Sequence, residues 1–140
     1  MLFIIFINDL LESLNASYLG AEIGENNISA VGFADDILLI TDTPEKLQKL
    51  ILICETWSKI NRMEFKISKC KVMTLNRLPA GLVFKLYGRK LDIVNSHRYI
   101  GITLSTNNMT NLYTKHFKFI LERHRRGSGK LKMLALAGMA

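Results

Sequence analysis

Cysteine is scarce in this sequence. There are two in 140 residues, Cys54 and Cys70, and they do not form a CxxC pair. Nothing in that number requires a disulfide, and a reducing compartment fits it. Proline is equally sparse, and both residues mark boundaries: Pro44 opens a helix and Pro79 breaks the chain before Ala80-Gly81. The three histidines, His97, His116 and His124, have no zinc-like spacing, and no Ser/His/Asp arrangement accompanies them. They read as surface residues or phosphate contacts. There is no internal repeat and no low-complexity linker. A long apolar run is also missing. The opening Met1-Leu2-Phe3-Ile4-Ile5-Phe6-Ile7 has no basic residue before it and meets Asn8-Asp9 too soon for a signal peptide or a membrane span. An intracellular protein, nuclear or cytoplasmic and without a membrane segment, is the expectation. So apolar an opening needs a surface to bury it, which suggests that the natural domain continues upstream.

What is present suits a folded domain: 49% hydrophobic and 22% charged residues, enough apolar material for a core and too much for global disorder. The net charge of +7 is unevenly placed. Residues 1–109 carry 12 Lys+Arg against 11 Asp+Glu, whereas residues 110–140 carry 7 against 1. The excess therefore lies in the last segment, at Lys115, Lys118, Arg123, Arg125, Arg126, Lys130 and Lys132. Such a stripe attracts nucleic acid, and equally fits a solvated basic helix or an anionic membrane surface.

Periodicity outlines the elements. Residues 2–18 suit a helix, with Phe3, Phe6 or Ile7, Leu10 and Leu14 on one face. Gly20 to Asn27 reads as a polar loop. Residues 28–33 and 37–41 form two short apolar runs separated by Ala34-Asp35-Asp36, a hairpin with acids near its turn. Thr43-Pro44-Glu45 starts a helix that runs to about Asn61, with Leu47, Leu50, Ile51, Cys54 and Trp57 inward. Cys54 is then a small core residue. Residues 64–75 read as extended. Leu82 to Leu91 form a second hairpin turning at Gly88, and residues 98–104 a short strand. A basic helix is expected over 111–126. Gly127-Ser128-Gly129 ends it, and a short basic-apolar segment closes the chain. The order predicts an α+β domain, or a mixed α/β one, with an antiparallel sheet.

The chemistry concentrates in Val31-Gly32-Phe33-Ala34-Asp35-Asp36-Ile37-Leu38-Leu39-Ile40. Adjacent carboxylates between apolar strands repel each other, and a divalent cation relieves that repulsion. Magnesium suits such a site, because it takes one or two carboxylates and fills its other positions with water and phosphate. Two such ions, roughly 3.5–4 Å apart, stabilise both the attacking and leaving oxygens of a phosphoryl transfer. A solvated Asp-Asp turn is the plain alternative, since aspartate favours turns.

Phe33-Ala34-Asp35-Asp36 resembles the catalytic aromatic-Ala-Asp-Asp turn of reverse transcriptases. Leu2-Phe3 to Ile7-Asn8-Asp9-Leu10 resembles the segment that follows the Gln-Gly motif in non-LTR (LINE-type) retrotransposon enzymes. Met63-Glu64-Phe65-Lys66-Ile67-Ser68-Lys69-Cys70-Lys71 resembles the next palm motif, and Ser96-His97-Arg98-Tyr99-Ile100-Gly101 the primer grip. The resemblance spans nearly the whole chain, in order. It implies a partial polymerase palm over 1–109, an antiparallel sheet with packed helices, followed by a basic, helical thumb start over 110–140.

The resemblance also implies roles. Asp35 and Asp36 would bind catalytic Mg2+ (or Mn2+). Lys69 would stand near the incoming triphosphate and protonate the leaving pyrophosphate; one more exposed lysine is the alternative. Phe33 would pack beneath the primer end, and Tyr99 and Gly101 would hold the primer, although Tyr99 alone reads equally as a core aromatic. Lys115, Lys118, Arg123, Arg125 and Arg126 would track duplex phosphates without reading sequence. The implied partners are an RNA template, a DNA primer and deoxynucleoside triphosphates. The family's third aspartate, its Gln-Gly motif and its fingers lie upstream of the first residue. A partial copy, inactive alone and lacking an N-terminal half, is therefore expected; a non-catalytic nucleic-acid-binding remnant is the alternative.

Overall fold

Apolar residues at three-to-four spacing make the first element a helix, α1 (Leu2–Ala16). It turns Ile7, Leu10 and Leu14 inward, each at most 3% exposed, and leaves Ile5 and Phe6 toward solvent. The computed structural model describes residues 2–74, 77–99, 102–106 and 133–138. After α1 come β1 (Ala21–Ile23) and β2 (Asn26–Ile28), an antiparallel pair where a loop was expected. The side chain of Asn27 makes this pair possible: it accepts from Gly20 N–H and donates to Gly20 C=O, both at 3.0 Å. A Cβ on Gly20 would stand 2.1 Å from the Ile28 carbonyl oxygen, so only glycine fits there.

β3 (Ala30–Phe33) and β4 (Asp36–Thr41) form the expected hairpin. Thr41 ends β4, its hydroxyl donating to Leu19 C=O at 2.8 Å. The Thr43 hydroxyl then caps α2 (Pro44–Ile60) by accepting from Lys46 N–H at 3.3 Å. Leu47, Leu50, Ile51, Cys54 and Trp57 lie buried along α2. They join Ile7, Leu10, Leu14, Ile37, Leu39 and Val72 in the main core. Cys54 and Cys70 are both buried, and burial pushes the Cys54 thiol up to about 12.

The stretch expected to be extended over 64–75 is broken by a 3-10 turn over Ile67–Lys69, which delivers the chain into β5 (Lys71–Thr74). Next, β6 (Lys85–Leu86) and β7 (Arg89–Lys90) make a hairpin whose two turn residues, Tyr87 and Gly88, have φ of 53° and 71°. Positive φ at both is what a type I′ turn needs. α2 holds this hairpin through side chains. Gln48 bonds Lys85 N–H and C=O, both at 2.9 Å, and Glu55 accepts from Tyr87 N–H at 3.0 Å. β8 (Asp92–Ile93) runs parallel to β5. The single strand expected over 98–104 is instead a pair, β9 (Ser96–Tyr99) and β10 (Ile102–Ser105).

The closing segment supplies β11 (Met133–Gly138), which lies between β4 and β5 and pairs antiparallel with both. The sheet order is β3-β4-β11-β5-β8. The architecture is α+β. The helix expected over 111–126 lies outside the described residues, as do Gly101, Lys115, Lys118, Arg123, Arg125 and Arg126. No helix among the described residues is long and apolar enough to cross a membrane.

Candidate active site

The β3–β4 turn is the shortest a hairpin allows. Phe33 and Asp36 are paired across the strands, so Ala34 and Asp35 alone make the connection. Ala34 has φ 53° and Asp35 does not share that sign. A two-residue turn with positive φ at its first position normally carries glycine there. Alanine holds the same conformation at a cost of roughly 1–2 kcal/mol. The strain is tolerated because the strands on either side are fixed from below. Asn15, at the end of α1, accepts from Ser29 N–H (2.9 Å) and Ala30 N–H (3.1 Å) and donates to Ala30 C=O (3.1 Å). Gly32 lets α1 approach β3, since a Cβ there would meet Leu11 Cδ1 at 2.7 Å. No local pattern singles out Asn15, and its role went unread in the sequence.

The turn separates the two carboxylates by environment. Asp35 is exposed at the tip, whereas Asp36, the first residue of β4, is half-buried. Side chains alternate along a strand. Ile37 and Leu39 face the helices, while Leu38 and Ile40 face the other side, with Met73. Asp36 belongs to that second face. Its cross-strand neighbour Phe33 is there too, 59% exposed, beside Val31 at 44%. The aspartate pair therefore borders an apolar, open surface made of Val31 and Phe33.

The β9–β10 pair covers part of this face, and Ala21 of β1 and Ile28 of β2 pack on it as well. Tyr99 and Leu104 pack on the cluster of Leu38, Ile40 and Met73. Burial raises the Tyr99 hydroxyl above its ordinary pKa, and the negative charge of Asp36 raises it further. The Tyr99 oxygen is buried without a hydrogen-bond partner among the described residues. His97, two residues earlier, is held below the usual imidazole range, first by burial and then by Lys71, with Asp36 opposing. Lys71 itself pairs with Asp92 at 2.6 Å. That contact draws the exposed Asp92 carboxyl below its usual range.

Lys69 is exposed, in the 3-10 turn before β5. β4 and β5 both run antiparallel to β11 and hence parallel to each other. Lys69 and Asp36 thus lie at the same end of the sheet, two strand spacings apart, about 10 Å. No hydrogen bond or ion pair among the described residues joins them. The structure thus brings Phe33, Asp35, Asp36 and Tyr99 to one edge and places Lys69 across the sheet from it. No group of three or more His, Cys, Asp or Glu side chains suited to a metal occurs among the described residues. The two aspartates offer carboxylate oxygens only, the donor type that magnesium prefers, and leave its other positions to water and phosphate.

Residues 1–116 match the family model described as reverse transcriptase (RNA-dependent DNA polymerase). No curated protein and no solved structure matches the chain.

Proposed function

The chain belongs to the reverse transcriptase (RNA-dependent DNA polymerase) family, and from that premise we propose that it is the later palm of a non-LTR (LINE-type) retrotransposon polymerase, leading into a thumb. Its parent reaction is RNA-templated addition of deoxynucleotides to a DNA primer. The observation that carries the reading is the β3–β4 turn, which projects Asp35 and half-buries Asp36 beside an open apolar face.

In this reading Asp35 and Asp36 hold Mg2+ (or Mn2+), which when bound neutralises charge on the transferred phosphate. In this reading a further carboxylate completes the metal site. The chain's own side chains do the rest. Phe33 and Val31 offer an apolar surface to the primer end. Tyr99 and Gly101 hold the primer strand, the glycine letting its backbone approach closely. Lys69 supplies positive charge, and a proton at Nζ, to the leaving pyrophosphate. Lys115, Lys118, Arg123, Arg125 and Arg126 contact duplex phosphates.

The test is primer extension on an RNA template with Mg2+ or Mn2+, comparing the chain with its Asp35→Asn/Asp36→Asn form, alone and with an upstream polymerase half added. Activity that needs both the added half and the aspartates supports the reading. Activity unaffected by Asp35→Asn/Asp36→Asn would sink it. A second reading, nucleic-acid binding without catalysis, is favoured by the seven Lys+Arg against one acid in residues 110–140. It predicts salt-sensitive duplex binding, untouched by Asp35→Asn/Asp36→Asn, and no extension even with the upstream half.

A further inference from the structure

Three strands of the main sheet start at the same end. Leu136 of β11 stands opposite both Leu38 of β4 and Lys71 of β5, and Lys71 stands beside Asp92 of β8. Leu38, Lys71 and Asp92 therefore share one level across the sheet. Two residues back along the chain from each lie Asp36, Lys69 and Lys90. Lys90 is three strand spacings from Asp36, about 14 Å, with Lys69 between them. It also belongs to the same face. Leu91 is buried in the core that α2 shares, so its neighbours Lys90 and Asp92 turn the other way. Lys71, which pairs with Asp92, is on the face of Met73, Leu38 and Asp36.

A second lysine stands with Lys90. In the β6–β7 hairpin Lys85 is directly opposite it, and both are exposed. Leu91 N–H donates to Phe84 C=O at 2.8 Å, so the adjoining pair is the hydrogen-bonded one. Lys85 and Lys90 then form the alternate kind of pair, in which side chains stand closest. Like charges so placed repel and weaken a hairpin. Among the described residues neither lysine joins an ion pair: Asp92 is taken by Lys71 at 2.6 Å, and Glu55 by Lys59 and Tyr87 N–H. The hairpin cannot easily splay to part them. Gln48 grips the Lys85 backbone, and the Tyr87 hydroxyl lies 2.6 Å from that of Ser58 and accepts from Phe65 N–H at 3.1 Å. Two ammonium groups fixed side by side without a carboxylate are preorganised for an anion with two adjacent charges.

We propose that Lys85 and Lys90 form a pyrophosphate-binding site, the next cationic position beyond Lys69 for the group released at Asp35 and Asp36. Its place on that route rests on the polymerase reading. The site itself stands on the hairpin and needs neither a metal nor the aspartates.

The test is inorganic pyrophosphate titrated into the full chain without metal at low salt, followed by backbone-amide NMR. The Lys85, Leu86, Arg89 and Lys90 amides are expected to shift together and saturably, ahead of those of Lys46, Lys49 and Lys59. Lys85→Gln/Lys90→Gln should weaken the binding read at Leu86 and Arg89 at least about 10-fold, and Lys49→Gln should leave it unchanged. A deoxynucleoside monophosphate should bind at least about 10-fold more weakly than pyrophosphate, because it offers one phosphate to two ammonium groups. Lys85→Glu gives Lys90 the counter-charge it lacks. It should raise the melting temperature and abolish the pyrophosphate shifts at Leu86 and Arg89. The Asp35→Asn/Asp36→Asn chain should bind pyrophosphate as the unaltered chain does, so a failure of the polymerase reading and a failure of this site are separate results. Uniform shifts over all exposed lysines, equal binding of the monophosphate, or binding unaffected by Lys85→Gln/Lys90→Gln overturns the proposal. So does an RNA oligonucleotide that shifts the Leu86 and Arg89 amides and is not displaced by excess pyrophosphate, which would make the hairpin a nucleic-acid contact instead.

Discussion

Asp36 is tied electrically to the strand that covers it, and the tie is measurable without any catalytic assay. Its charge raises the pKa values of both His97 and Tyr99. In the Asp36→Asn chain the imidazole of His97 should titrate lower still, and the Tyr99 phenol should move back toward its ordinary value. Asp35→Asn should move neither. NMR titration of the His97 ring decides this, and identical shifts in the two variants would contradict the placement. Ala34 carries a second residue-level test. Ala34→Gly should raise stability by about 0.5–1 kcal/mol, because relief of positive φ outweighs glycine's extra chain entropy. Equilibrium urea unfolding reads that difference. The aspartate pair was legible in the sequence because adjacent acids between apolar runs are unusual. Asn15 was not, because its three hydrogen bonds reach 14 and 15 residues along the chain and leave no periodic trace.

Elements were readable wherever a local signal fixed them. Thr43-Pro44-Glu45 gave α2 its start, and Gly88 gave the β6–β7 turn its position. The β1–β2 pair escaped because its strands are only three residues long and are held by the side chain of Asn27. β11 escaped because Leu, Ala and Met favour helix, and only the backbone demand of β4 and β5 makes them a strand. The joint between α1 and β3 predicts a clear cost. Asn15→Leu leaves Ser29 N–H, Ala30 N–H and Ala30 C=O without their partner, in a part-buried site. A loss of about 2–4 kcal/mol is expected from unfolding midpoints. Faster amide exchange at Ala30 and Ile40 should accompany it, since the same joint sets the hairpin. An unchanged midpoint would mean that the hairpin is held by packing alone.

Over the whole molecule, acid should act in two stages. His97 titrates below its unfolded value of 6.5, so the unfolded chain takes up a proton that the folded chain refuses. Its contribution is complete above pH 6.5 and is lost as pH falls through the lower, folded pKa. Glu55 is held below its unfolded 4.5, first by Lys59 and then by Tyr87 N–H, and Asp92 is held below 3.8 by Lys71. Both contributions are complete above those unfolded values and are lost further into acid. All three act in the same direction, so the melting temperature should fall in one step beginning below pH 6.5 and in another beginning below pH 4.5. His97→Asn should abolish the first step and leave the second. Glu55→Gln should flatten the second and lower the melting temperature at neutral pH, because its carboxylate ties α2 to the β6–β7 hairpin. Melts from pH 7.5 to 3 in fixed salt measure both steps. A single step below pH 4.5, unchanged in His97→Asn, would place His97 in open solvent and remove β9 from the flank of Asp36.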